Sequence, residues 1–276
     1  MRRLSARFAG WTLYALVFLA CSSTASAQFR PRLNEPTAAE QFHIEASAAL
    51  WKPSATVVIS SESFGIPGTA IDFKRDLGLT DQTLPEFKIT LRPGGHHKLR
   101  VDVVPMSYTS STVLTRDVVF NGQRYSVNLP VNSVFDWTAW RFNYEFDFLA
   151  KSRYFVGLVI EAKYNDISAH VSSPSPKIDE FTTARFPLPS LGGIARVYVV
   201  PSISITGELN LLNIPRSTSN RYHGNWSDVD IYGTVNFTRN VGAQLGFRSI
   251  DLGYNINADS GSLTLKGIYF GIVARY

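Results

Sequence analysis

Lys266-Gly267-Ile268-Tyr269-Phe270-Gly271-Ile272-Val273-Ala274-Arg275-Tyr276 reads as a strand with two unlike faces. Ile268, Phe270, Ile272, Ala274 and Tyr276 make one continuous apolar face, and Gly267, Tyr269, Gly271, Val273 and Arg275 alternate with them. Chain ends usually fray. An apolar face carried to the final residue predicts instead an edge that pairs and closes a sheet.

The same period of two recurs upstream. Phe42, Ile44, Ala46, Ala48 and Leu50 alternate with His43, Glu45 and Ser47, and Phe87, Ile89 and Leu91 with Glu86, Lys88, Thr90 and Arg92. Leu99, Val101 and Val103 oppose Arg100 and Asp102; Trp140, Phe142, Tyr144, Phe146 and Phe148 oppose Arg141, Asn143, Glu145 and Asp147. Tyr154 to Lys163, Leu188 to Val200, Ile203 to Asn210, Val229 to Phe237 and Val241 to Arg248 continue the pattern, which makes ten strands with the last. In Leu188 to Val200 either face could be the apolar one. Segments 55–60 and 118–129 could add strands, so eight or twelve remain open.

Connection lengths decide the class. Those near 93–98, 149–153, 201–202 and 239–240 are short; those near 52–83, 110–134, 166–187, 212–226 and 251–262 are long and polar. Short on one side and long on the other predicts an all-β, closed antiparallel transmembrane β-barrel with tight periplasmic turns and long outer loops. An even strand count puts both termini in the periplasm. In lipid a sheet must close so that every backbone group is paired. The rival is a secreted soluble β-barrel or sandwich that binds a ligand; it would show the same alternation with its apolar face inside.

The N-terminus agrees with export. Arg2, Arg3 and Arg7 precede an apolar run from Phe8 to Ala20, and Ala25-Ser26-Ala27 supplies a small-residue cleavage site. The run is too short for a spanning helix. The expected organisation is a signal peptide over 1–27, a loose periplasmic lead over 28–41 and the barrel over 42–276. Cys21 is the only cysteine; Leu19-Ala20-Cys21 resembles the end of a lipoprotein cleavage box, with Phe18 where a smaller aliphatic residue is usual, whereas cleavage after Ala27 leaves a mature chain without disulfide chemistry of its own. The leader also carries three of the 27 basic residues and none of the 22 acids, so most of the formal charge of +5 leaves with it. Nothing in that balance resembles a nucleic-acid footprint. No metal or cofactor is expected.

Together, the Ala25-Ser26-Ala27 leader, the alternating strands and the terminal Ile268-Phe270-Ile272-Ala274-Tyr276 resemble bacterial outer-membrane β-barrel proteins. The resemblance implies an integral outer-membrane location and contact with outer-membrane lipid, including lipopolysaccharide. It also implies that the barrel-assembly machinery reads the last strand. Tyr276 departs from the Phe usual there.

The faces opposite the apolar ones carry a balanced set: Glu45, Glu86, Asp102, Glu145, Asp147, Glu161, Glu208 and Asp230 against Lys88, Arg92, Arg100, Arg141, Lys163, Arg196, Arg248 and Arg275. A barrel this size has an interior little wider than its side chains. These residues therefore predict either a salt-bridged plug or a narrow polar conduit for small solutes. The rival function is an enzyme at the outer rim, a lipid or peptide hydrolase, with His170, His223 and Asp228 as candidate groups; no hydrolase motif surrounds them. Lys74, Arg75, Arg116, Arg124, Lys177, Arg185, Arg216 and Arg221 in the outer loops could meet lipopolysaccharide phosphates. Trp137, Trp140, Tyr154, Tyr164 and Tyr276 are placed as aromatic girdles.

Overall fold

The structure, a computed structural model, describes residues 40–60, 66, 68–216, 222–256 and 259–276. The leader, the lead as far as residue 39, and Arg221 lie outside the described residues. Ten long strands form the wall: β1 (Ile44–Ser60), β3 (Leu84–Gly94), β4 (His97–Val113), β7 (Pro130–Ala150), β8 (Tyr154–Pro174), β9 (Lys177–Val200), β10 (Ile203–Ile214), β11 (Tyr222–Asn236), β12 (Val241–Ile256) and β13 (Asp259–Arg275). Three short strands, β2 (Ile71–Asp72), β5 (Val118–Phe120) and β6 (Gln123–Tyr125), belong to the connections.

Each wall strand pairs antiparallel with the next, and β13 returns to β1 from Glu45↔Arg275 to Ser60↔Ser260. That pairing removes both open edges. The closing strand therefore does what its pattern predicts, and the barrel has ten strands.

The strands outrun their sequence signal at the end away from the tight turns. Segment 55–60 continues β1, and 166–187 is mostly strand, with β8 and β9 paired from Asp166↔Arg185 to Pro174↔Lys177. Segment 118–129 contributes β5 and β6, a separate hairpin outside the wall. The loops are thus shorter and the wall taller than the pattern implies.

The physical reason is an inversion of polarity along the strands. On β7 the outward residues from Trp140 to Phe148 are apolar and exposed, while Arg141, Asn143, Glu145 and Asp147 are buried inside. Farther along the same strand Asn132 and Asp136 face out and Val131, Phe135 and Trp137 face in. On β4, Leu99 and Val101 give way outside to Ser107 and Thr109, while inside Arg100 and Asp102 give way to Val104, Met106 and Tyr108. One half is built for an apolar surround. The other half resembles a soluble barrel, with water outside and a core within.

Three placements differ from the sequence reading. Phe42 does not continue the apolar outer face of β1; it is 5% exposed and lies under the guanidinium groups of Arg92 and Arg275, 5.8 and 6.0 Å from its ring. Trp137 is no girdle residue: it is fully buried, its Nε1 donating to Asn165 Oδ1 at 3.1 Å. Trp140, Tyr154, Tyr164 and Tyr276 do remain exposed on the outside. On β9 the ambiguity resolves with Ile194, Arg196 and Tyr198 inside and Ala195, Val197 and Val199 outside.

Candidate functional site

The barrel interior concentrates the chemistry-bearing side chains, and alternation puts them there. On β7, β8, β11 and β12 every second residue points inward, so Arg141, Glu161, Lys163, Asp228 and Arg248 meet although they lie far apart in sequence. Arg141 Nε donates to Glu161 Oε2 at 2.6 Å, and its Nη2 lies 3.1 Å from Asp228 Oδ2. Glu161 also bonds Lys163 and accepts from Ser190 Oγ at 2.8 Å. The Lys163 ammonium lies over the Trp226 ring at 4.4 Å, and Arg248 over Trp51 at 5.6 Å. This row is the ceiling of the charged zone.

Below it Arg100 bonds Glu208, whose Oε1 also accepts from Asn210. Tyr269 OH donates to Asp230 Oδ1 at 3.0 Å, and the Tyr232 ring packs on that of Tyr269. Gly246 sits between them; a Cβ there would come within 2.5 Å of the Tyr269 ring. Nearest the tight turns, Lys98 lies 2.7 Å from Glu145 and 3.0 Å from Asp147, while Arg275 Nε meets Glu45 at 2.5 Å beside the closing seam.

All sixteen charges that alternation assigns to the interior point there, most of them buried. Three further members escape the strand pattern. Lys98 falls within a segment that reads as turn, Asp228 lies just ahead of the strand read from Val229 and is taken as a rim candidate, and Glu40 falls in the lead. Glu40 enters the mouth of the barrel: Arg196 Nη1 and Tyr198 OH each donate to its Oε1 at 2.7 Å, and Arg92 bonds its backbone carbonyl. Burial pushes the Glu40 carboxyl up, but the cations of Arg196 and Lys98 outweigh that and hold it at about 2.

Above the charged zone the interior is apolar. Trp51, Val57, Val104, Met106, Phe135, Trp226, Ile250 and Leu265 face inward from the wall. The connections fill what remains. Ile71, Phe73, Leu77 and Leu79 come from the β1–β3 segment, and Val118, Phe120, Tyr125 and Leu129 from the β4–β7 segment, all buried. Phe73 N donates to Val57 O at 2.9 Å and Tyr125 OH to Val171 O at 3.0 Å, so both segments are tied to the wall. Full burial of each such side chain is worth about 1.5–3 kcal/mol. The sequence reads 118–129 as possible wall strand and the β1–β3 segment as loop, and neither reading assigns them to a plug.

The three rim candidates do not converge. His170 bonds Asp179 on the β8–β9 hairpin, and His223 Nε2 accepts from Arg216 Nε at 3.0 Å. Asp228 is buried inside with Arg248 and Arg141. Most of the loop cations meet carboxylates: Lys74 with Asp81, Arg75 and Arg116 with Asp76, Arg124 with Asp117, Arg185 with Asp166. Burial raises the Asp76 carboxyl, but hydrogen bonds from Arg116 and Arg75 hold it well below the usual range. Among the described residues no three histidine, cysteine or acidic side chains group as a metal site.

No family model matches the chain, and no curated protein matches it. Among solved structures the outer membrane protease OmpT from Escherichia coli is similar at 11% identity, with a TM-score of 0.54 over 84% of this chain and 96% of that one. Ail of Yersinia pestis and the neisserial surface protein NspA align at TM-scores of 0.36 and 0.34, with 8% and 14% identity. Ail is aligned over 83% of this chain and 99% of its own, and NspA over 85% and 97%. OmpT is by its name an outer-membrane protein, and this chain, a closed antiparallel ten-stranded barrel, shares its fold.

Proposed function

We propose that this protein spans an outer membrane and acts as a sealed, surface-exposed barrel rather than an open pore. The observation that carries the reading is the doubly filled lumen, an ion-paired zone capped by an apolar plug drawn from two connections. The apolar outer belt supports the location. It covers nine residues on β7, Trp140 to Phe148, and eleven on β8, Tyr154 to Tyr164. A transmembrane strand needs about 9–11 residues. A soluble ligand-binding barrel would not leave Phe142, Leu158, Leu191, Leu245, Phe270 and Ile272 exposed in one band.

In this reading the tight turns and both termini lie in the periplasm, and the inverted half stands above the outer leaflet. Lipid and lipopolysaccharide surround the belt, and the assembly machinery reads Ile268, Phe270, Ile272, Ala274 and Tyr276. Reconstitution in planar bilayers tests the seal: the intact chain should give no steady conductance, and discrete, long-lived openings would sink the proposal.

A hydrolase at the rim is the second reading, favoured only by the fold shared with a protein named as a protease. His170, His223 and Asp228 each have a separate partner, which argues against it. Peptide or lipid cleavage abolished by His170→Ala or His223→Ala would reinstate it.

A further inference from the structure

Where β10 meets β11 and β12 meets β13, the far end of the wall holds a cavity of about 430 Å³ lined by Asn213, Arg216, His223, Asn225, Tyr254 and Ser262 among others. Strand register assembles it. Asn213 pairs with Asn225, Asn225 with Gly253, and Gly253 with Ser262, one row across four strands on the outward face. Gly253 leaves a trough in that row, since a Cβ there would come within 2.6 Å of Asn225 Oδ1. The next row toward the belt holds Leu211, Ser227, Asp251 and Thr264, and the one after it Leu209, Val229, Ser249 and Lys266, so the cavity lies just above the upper margin of the apolar band.

Two of its polar groups, Arg216 and His223, bond each other and leave the rest of the Arg216 guanidinium free of a carboxylate among the described residues. Arg216 has donors only, so in its bond to His223 the imidazole Nε2 accepts. The proton of the neutral ring is then on Nδ1, and that atom is buried without a partner. Among the described residues Arg216 forms no ion pair with a carboxylate, unlike Arg75, Arg116, Arg124 and Arg185. The site thus offers a cation and an unused N–H beside asparagine amides and a serine hydroxyl that both give and take hydrogen bonds. Tyr254 and Gly261, the adjacent pair, alternate to the inner side, where the Tyr254 ring packs against the apolar interior and backs the cavity wall.

We propose that this cavity binds an acidic saccharide, its anionic group held by Arg216 and His223 and its hydroxyls by Asn213, Asn225 and Ser262. A phosphate or carboxylate accepts from both cationic and N–H donors, while a hydroxyl-rich ring matches amides that act in both directions. The ligand's chemistry is the same whether it is a free phosphosugar or the headgroup of a glycolipid. The inference does not depend on whether the lumen conducts.

Titration calorimetry on the detergent-solubilised full chain tests it, with trehalose 6-phosphate, trehalose and purified lipopolysaccharide as probes. At least one phosphorylated probe should bind, and ten-fold or more tighter than trehalose. Arg216→Gln and His223→Phe should each remove most of that preference, and Gly253→Leu should block binding without changing charge. All three variants should keep the gel mobility of the folded barrel. Binding of trehalose 6-phosphate would identify a free sugar as sufficient; binding of lipopolysaccharide alone would identify a glycolipid headgroup. Failure of both phosphorylated probes, equal binding of trehalose, or undiminished binding by folded Arg216→Gln overturns the proposal.

Discussion

Arg248 holds Asp228 with two arms, Nε donating to Oδ1 at 3.1 Å and Nη2 to Oδ2 at 2.8 Å, while Nη1 reaches Glu86 Oε1 at 2.8 Å on another strand. Arg248 is 1% exposed and Asp228 2%. Arg248→Met would leave two buried carboxylates without their main cation, which costs about 3–5 kcal/mol. Urea unfolding in detergent should show the loss, and Arg248→Met with Asp228→Asn should recover part of it. A single variant as stable as the parent would mean that water already satisfies these carboxylates.

The plug should contribute independently of the charges. Phe73 packs edge-on against Phe135, with ring centroids 5.5 Å apart, and is fully buried. Phe73→Ala should destabilise the barrel by about 3–5 kcal/mol. Because the charged zone lies beneath, it should still give no steady conductance in a planar bilayer. Open channels in this variant would assign the seal to the plug alone.

The belt makes a depth-dependent prediction. Phe270 and Leu245 are cross-strand partners that face outward, both more than half exposed. Phe270→Arg at mid-belt should cost about 2–4 kcal/mol in lipid vesicles, whereas Leu211→Arg at the belt's upper margin should cost about 0–1 kcal/mol. Equal penalties would contradict the boundary drawn from the polarity inversion.

Glu40 ties the lead to the mouth of the barrel in a pH-dependent way. Its carboxyl is depressed from 4.5 to about 2, so the folded state binds the proton less readily than the unfolded one. The stabilisation is therefore present above about 4.5 and is lost as pH falls toward 2. Hydrogen exchange at residues 40–44 should be slow at pH 7 and faster, after correction for intrinsic rates, near pH 3. Glu40→Gln should show the faster behaviour already at pH 7; unchanged protection in that variant would leave the ion pairs without a role in docking.

How much of this was legible in the chain differs between the two halves of the barrel. In the lower half an apolar outer face and paired charge inside put opposite chemistry on adjacent residues. Trp140 to Phe148 and Ile268 to Tyr276 therefore announce strand, facing and closure directly. In the upper half, water outside and an apolar plug inside reverse the sense. Alternation is blind to which face is inner, so Trp137 reads as an outward girdle residue and 166–187 as loop. Nor does period two reach side chains in the lead or the connections, so Glu40 and the Phe73 segment go unseen and 118–129 reads only as possible wall strand, while Lys98, at the very start of β4, reads as turn.

The amino-acid sequence by itself determined a closed antiparallel barrel of about ten strands, with eight or twelve left open, its apolar outer belt and the inward set from Glu45 to Arg275, because the pleat converts residue parity into facing. The tertiary structure alone decided who meets whom inside. Arg248 finds Glu86 162 residues away and Arg100 finds Glu208 108 residues away. Such contacts depend on barrel closure and strand stagger, which bring distant rows to one level of the lumen. Consecutive hairpin pairing of β10, β11 and β12 gathers Arg216, His223 and Gly253 around one cavity, with a register that the sequence pattern does not show.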